Sequence, residues 1–276
     1  MAFEAQLTTP SLFRKTLESC HDIVDDANID CNESGLSLQA MDASHVALVY
    51  LTLNASGFDK YICTEAKNLG VNLGSILKIL KCGDAADKLT LKTNVENSEL
   101  KFTFENETSG RVFEYSMSLM DIEADRLSIP EQEPDARIIL PASEFQRICR
   151  DLTQFGDSVK LSVSKSSISF GVTSASGNGV IVLSNNSSAE GDSQVSIKCQ
   201  ENIELSFALR FLTSFTKATS LSDNVILELS SERPLVVIYE LAACCVAHGN
   251  TEVRTWCSLY LQVCHLVWLY QLFRHV

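Results

Sequence analysis

Apolar and small residues recur along four segments of the chain at the spacing i, i+3, i+4, i+7, which sets four side chains on one stripe of a 3.6-residue helix. Phe13, Thr16, Leu17 and Cys20 make the first stripe, and Leu73, Ile76, Leu77 and Leu80 the second. Phe145, Ile148, Cys149 and Leu152 make the third, and Ala208, Phe211, Leu212 and Phe215 the fourth. Between the helices the period falls to two, as in half-buried strands. In the first half this predicts strands at Ile29–Cys31, Leu36–Ala40, His45–Leu53 and Lys60–Cys63, then Leu89–Thr93, Leu100–Phe104 and Val112–Ser118. In the second half it predicts Val159–Val163, Ile168–Thr173, Val180–Leu183 and Val195–Cys199, then Val225–Leu229 and Leu235–Tyr239. Turn chemistry such as Asn32-Glu33-Ser34-Gly35 and Gly177-Asn178-Gly179 separates them.

The pattern repeats. The stripes that start at Phe13 and Phe145 lie 132 residues apart, and those that start at Leu73 and Ala208 lie 135 apart. Pro10 and Pro141 each open the first helix of a half, a position that tolerates a missing N–H. The chain is therefore an α+β protein built by duplication of a unit with two helices and antiparallel strands. The boundaries are 1–118 for the first domain, 119–135 for a connector, 136–240 for the second domain and 241–276 for a tail of different character. Pro130 and Pro134, with acidic residues at 121, 123, 125, 131, 133 and 135, favour an extended connector. Leu127, Ile129 and Pro130 form a short apolar patch inside it.

The repeat calls for one more strand after residue 240. There the chain holds only three charged residues, Glu252, Arg254 and Arg274, together with four of the ten Cys and both Trp. The 19 residues between Arg254 and Arg274 approach the length of a membrane span, but Gln262, His265 and Gln271 interrupt them. A replacement strand or an aggregation-prone apolar tail is the better reading.

Composition narrows the function. Ten Cys without a CxxC pair indicate free thiols in a reducing compartment rather than a zinc site. Asp42 and His45 stand close together, but no Ser or Cys nucleophile has a recognisable context, and a satisfied loop accounts for them. Asp22, Asp25 and Asp26 match no metal-loop spacing. With no Gly-rich phosphate loop either, the sequence reads as a non-enzyme with no cofactor and no metal. The formal net charge is −13. Against that balance each helix carries a pair of cations off its apolar stripe: Arg14 and Lys15, Lys78 and Lys81, Arg147 and Arg150, Arg210 and Lys217. An acidic chain that concentrates cations at repeated positions shapes a local field for a polyanion.

The run GLSLQAMDASHVALVYLTL from Gly35 to Leu53, continuing to Gly57-Phe58, closely resembles the signature of the proliferating cell nuclear antigen family, the eukaryotic sliding clamps. So do Gly70-Val-Asn-Leu with Lys78-Ile-Leu-Lys-Cys82, Leu119-Met-Asp121, Ile129-Pro-Glu-Gln-Glu133 and Phe145 through Asp151. Phe207-Ala-Leu-Arg210, Phe215-Thr-Lys-Ala218 and Pro234-Leu-Val-Val237 extend the resemblance, which covers residues 1 to about 240. It implies a DNA-clamp fold, a homotrimeric ring whose helices surround duplex DNA without reading its sequence. The eight cations above would face phosphates, and the family's DNA-contacting segment falls on Ile62 to Lys81. Edge strands Gly110–Ser118 and Ser176–Ser184 of neighbouring subunits would pair. Met41, Val46, Leu127, Ile129, Pro130 and Pro234 would border a groove for short peptides of DNA polymerase delta, the clamp loader, nucleases and ligase. Lys165 would take ubiquitin or SUMO, and the location would be the nucleus, with roles in replication, repair and translesion synthesis.

The chain departs from the family at three places. Ile62-Cys63-Thr64-Glu65 stands where Arg-Cys-Asp-Arg is usual, and His21 where Lys is common, both lowering local positive charge. After Ala242 the family's last strand, its Tyr-Leu-Ala-Pro segment and its acidic tail are not recognisable. That shift resembles an alternative exon or intron read-through, so a splice variant with impaired partner binding, a non-functional or regulatory subunit, is the alternative function.

Overall fold

The computed structural model describes residues 3–93, 98–123, 133–175, 177–186, 194–247 and 250–263; for 242–247 and 250–256 it describes the backbone alone. The described residues form four α-helices: α1 (Pro10–His21), α2 (Leu73–Leu80), α3 (Ala142–Thr153) and α4 (Leu209–Phe215). The duplicated clamp fold is present, with antiparallel sheets in each repeat.

The first repeat holds β1 (Phe3–Leu7), β2 (Asp26–Asn32), β3 (Gly35–Met41), β4 (Ala47–Asn54), β5 (Lys60–Cys63), β6 (Lys67–Asn72), β7 (Lys88–Thr93), β8 (Glu99–Asn106) and β9 (Arg111–Ser118). They hydrogen-bond in the orders β5-β1-β7-β8-β9 and β4-β3-β2-β6. The second repeat holds β10 (Ala136–Pro141), β11 (Ser158–Val163), β12 (Ser167–Ser174), β13 (Gly177–Ser184), β14 (Ser196–Cys199), β15 (Ile203–Ala208), β16 (Asn224–Ser230), β17 (Arg233–Ala247) and β18 (Asn250–Val263). Its orders, β14-β10-β16-β17-β18 and β13-β12-β11-β15, reproduce the first strand for strand.

Two compact units emerge: residues 1–40, 49–127 and 241–259 form one, and 41–48, 128–240 and 260–276 the other. In the first, Phe3, Leu17, Leu38, Leu51, Phe102 and Phe104 are the largest fully buried side chains; in the second, Phe145, Phe170, Phe207, Phe215 and Tyr239. Three of the four predicted stripes are buried throughout. In the fourth, Ala208 is half-buried because it is the N-cap of α4 and the last residue of β15. Pro141 likewise closes β10 and caps α3 rather than opening the helix from within.

Strands β1, β6, β10 and β15, which pattern reading does not predict, each lead into a helix. Asn72 shows how the switch is made. It ends β6, and its side-chain oxygen accepts the Ser75 N–H at 2.9 Å, capping α2. Strand β4 starts at Ala47, two residues later than the period suggests. The Asp42 carboxylate accepts the N–H groups of Ser44, Val46 and Ala47 at 3.0, 2.7 and 2.6 Å, holding Asp42–Val46 in a loop. Burial raises this carboxyl, but those bonds outweigh it and leave it below the usual range. Asp42 thus serves the loop.

The connector begins with a close contact. Met120 N–H donates to Gly70 O at 2.8 Å, and a Cβ on Gly70 would stand 2.1 Å from the Met120 carbonyl oxygen. Only glycine allows this approach. Asn28 Nδ2 donates to Ile122 O at 2.8 Å, pinning the next turn of chain. No helix among the described residues is long and apolar enough to cross a membrane.

Candidate nucleic-acid interface and sheet edges

In the first unit α1 packs beside α2, and in the second α3 packs beside α4. Each pair turns its apolar stripes to the core and therefore shares an outer face. Lys15, Lys78 and Lys81 are exposed on the first pair. Arg14 is half-buried and lies 3.8 Å from Glu18. On the second pair Arg147 and Arg150 are 68% and 69% exposed, and both approach Asp151, at 3.7 and 3.2 Å. Surface pairs of this kind are worth little, so both guanidinium groups stay available to an external anion. Arg210 lies over the Phe211 ring, 4.5 Å from its centroid, which holds the charge at the start of α4. Lys217 is exposed but sits on a 3-10 turn, Thr216–Leu221, that follows α4. The seven-residue spacing to Arg210 is therefore not two helical turns, because each 3-10 residue advances by more angle than an α residue.

The segment Ile62 to Lys81 runs from the end of β5 through β6 to the C-cap of α2, with Thr64, Glu65 and Ala66 exposed between the strands. His21 lies against α2: a Cβ on Gly74 would meet its Cε1 at 3.3 Å, and its Nδ1 is 3.5 Å from Asp25.

The two sheets end in open strands. Among the described residues, strand β9 pairs only with β8 and β13 only with β12. Both expose apolar side chains: Val112 and Tyr115 on β9 are 60% and 39% exposed, Val180 and Val182 on β13 are 66% and 57%. Phe113 stacks on Phe104 at 5.0 Å and meets Tyr115 edge-on at 5.8 Å, so the β9 surface is a braced aromatic row. At its base Arg111 bonds Asp84 at 2.6 Å and lies 3.6 Å from buried Asp87. The Asn106 amide, the Asp84 N–H and the Arg111 guanidinium hold the Asp87 carboxyl below the usual range. Phe155, 47% exposed just beyond α3, flanks the other edge, since Gly156 and Gly179 of β13 both abut Val172. Pattern reading misses Phe155 because an isolated aromatic after a helix carries no period.

Of the groove residues, Met41 and Pro234 are half-buried, while Val46 is only 7% exposed and serves the core. Leu127, Ile129 and Pro130 lie outside the described residues, as does Ser176 of the second edge. Lys165 is exposed on the bend between β11 and β12 and lines a cleft of about 570 Å³.

Residues 2–127 match the family model of the proliferating cell nuclear antigen N-terminal domain, and residues 128–248 that of its C-terminal domain. Clamps of this family are non-enzymatic scaffolds that give polymerases processivity in DNA replication, which implies binding to DNA and self-association as a ring. The duplicated strand order, the paired basic helices and the two domain matches agree: this chain belongs to the proliferating cell nuclear antigen family of DNA sliding clamps.

Proposed function

We propose that three copies of this chain close into a ring through β9 of one subunit and β13 of the next, and that the two helix pairs of each subunit face duplex DNA. The observation that carries the reading is the placement of exposed cations on the outer face of the helix pair in each repeat, in a chain of net charge −13. Phosphate contacts from Lys and Arg neutralise charge without reading bases, so such a ring holds any sequence and slides. Replacing Lys78, Lys81, Arg150 and Lys217 by Ala shortens retention on circular DNA and flattens its salt dependence by about 0.9 in log–log slope per lost contact. Equal retention at several salt concentrations would refute the assignment.

On this reading the ring works in the nucleus in replication, repair and translesion synthesis. It tethers DNA polymerase delta, the clamp loader, nucleases and ligase through short peptides at Met41, Leu127, Ile129, Pro130 and Pro234, and takes ubiquitin or SUMO on Lys165.

A second reading is a subunit, produced by alternative splicing, whose partner binding is impaired. It is favoured by the end of the C-terminal domain match at residue 248, after which the chain runs to residue 276 in apolar sequence. Calorimetry with a partner peptide then gives weaker binding than to the same chain carrying a family-typical C-terminus; equal affinities reject it.

A further inference from the structure

The cleft of about 570 Å³ in the second unit is lined by Glu133, Asp135, Arg137, Lys165, Lys198 and Cys199, among others. Two of its charged groups are committed elsewhere. Arg137 pairs with Glu228, and Asp135 accepts the N–H and hydroxyl of Ser231 at 2.9 and 3.2 Å. Three nucleophiles share the remaining wall: the half-buried thiol of Cys199, which donates to Glu201 O at 2.9 Å, and the exposed amines of Lys165 and Lys198. Asn185 ties together the segments that carry Lys165 and Cys199. Its backbone N–H donates to Ser166 O at 2.8 Å, and its side-chain amide donates to Ile197 O at 3.3 Å. One residue thus holds both the bend that carries Lys165 and the strand that carries Cys199.

We propose that Cys199 relays a short acyl group from a small acyl thioester to the ε-amine of Lys165. In the first step the Cys199 thiolate attacks the carbonyl carbon of the donor. A new carbon–sulfur bond forms as the donor's breaks, and the departing thiolate takes up the proton that Cys199 released. In the second step the neutral Lys165 amine attacks the same carbon. The carbon–nitrogen bond forms, the bond to Cys199 breaks, and the proton lost by nitrogen returns to sulfur. The donor is the only co-reactant, and no oxidant or reductant takes part. Fixing thiol and amine in one cleft makes the second step intramolecular, where orientation replaces concentration. Burial raises the Cys199 thiol, and the nearby Lys165 ammonium offsets part of that rise.

The relay stands whether or not Lys165 takes protein modifiers. If it does, acylation removes the amine they require and the positive charge with it.

The full-length chain is incubated with acetyl-coenzyme A at pH 8, and acetyl groups are mapped by peptide mass spectrometry over time. Lys101 and Lys160, exposed by 47% and 54%, serve as internal references. Lys165 gains acetyl on the order of tenfold faster than either reference. Cys199→Ser, a near-isosteric change at a half-buried position, brings Lys165 down to the reference rate. Lys165→Arg lets a hydroxylamine-labile acetyl accumulate on Cys199. An unchanged Lys165 rate in Cys199→Ser overturns the relay, and so does a Cys199 acetyl in the unmutated chain that never passes to Lys165.

Discussion

Strands β9 and β18 occupy the same place in the two repeats, each the ninth strand and each the neighbour of the eighth. Their surroundings are opposite. β9 ends its sheet, and no side chain along it is fully buried. β18 has a neighbour on either side, β17 and β4, and buries alternate residues, Cys257, Leu259, Leu261 and Val263. Cys257 lies near Cys20 of α1 in the first unit, and burial pushes its thiol up to about 12. One topological position thus yields an open edge in one repeat and a core strand in the other. Strand order is inherited from duplication, but burial depends on what lies beyond the strand.

The contrast can be broken at three points. Leu259→Asp places a charge where no solvent reaches, and should cost about 4 kcal/mol of unfolding free energy in a denaturant titration. A loss below about 1 kcal/mol would mean that β18 is not part of the core. On β9 the same kind of change acts on association instead of folding. Tyr115→Asp, or Val182→Asp on β13, should leave the denaturation midpoint nearly unchanged while weakening self-association about 100-fold, as measured by sedimentation. Wild-type assembly in both variants would remove these edges from the ring contact.

The third point is the acidic base of β9. The Asp87 carboxyl is depressed, so the native state releases its proton more readily than the unfolded chain. Its stabilisation is complete above the unfolded value of about 3.9 and disappears as pH falls through the lower folded value. Melting temperatures measured from pH 5 downward should therefore fall more steeply for the unmutated chain than for Asp87→Asn. Parallel curves would show that the Asp87 cluster does not brace the edge.

Legibility in the sequence followed the physical origin of each element. The stripes at Phe13, Leu73 and Phe145 stand alone on helices, where one buried face leaves a period that can be read. Strands β1, β6, β10 and β15 each run into a helix, and the change of period at the junction hides both ends. At Ala208 this made a strand's last residue look like the start of a helix. The cations were visible because side-chain chemistry is written in the chain. The short helix and 3-10 turn that carry Lys217 were not, since their geometry is set by packing of Phe211, Leu212 and Phe215 beneath them.

By itself the sequence determined the duplication, the helix stripes, the cations on their outer faces and the family. All of these rest on local period and side-chain identity. Tertiary structure alone decided that Val46 serves the core, that β9 is open while β18 is enclosed, and that Asn185 brings Lys165 and Cys199 to one cleft. Each of these depends on residues distant in the chain, and a pattern read along one dimension carries no record of which distant segment covers which face.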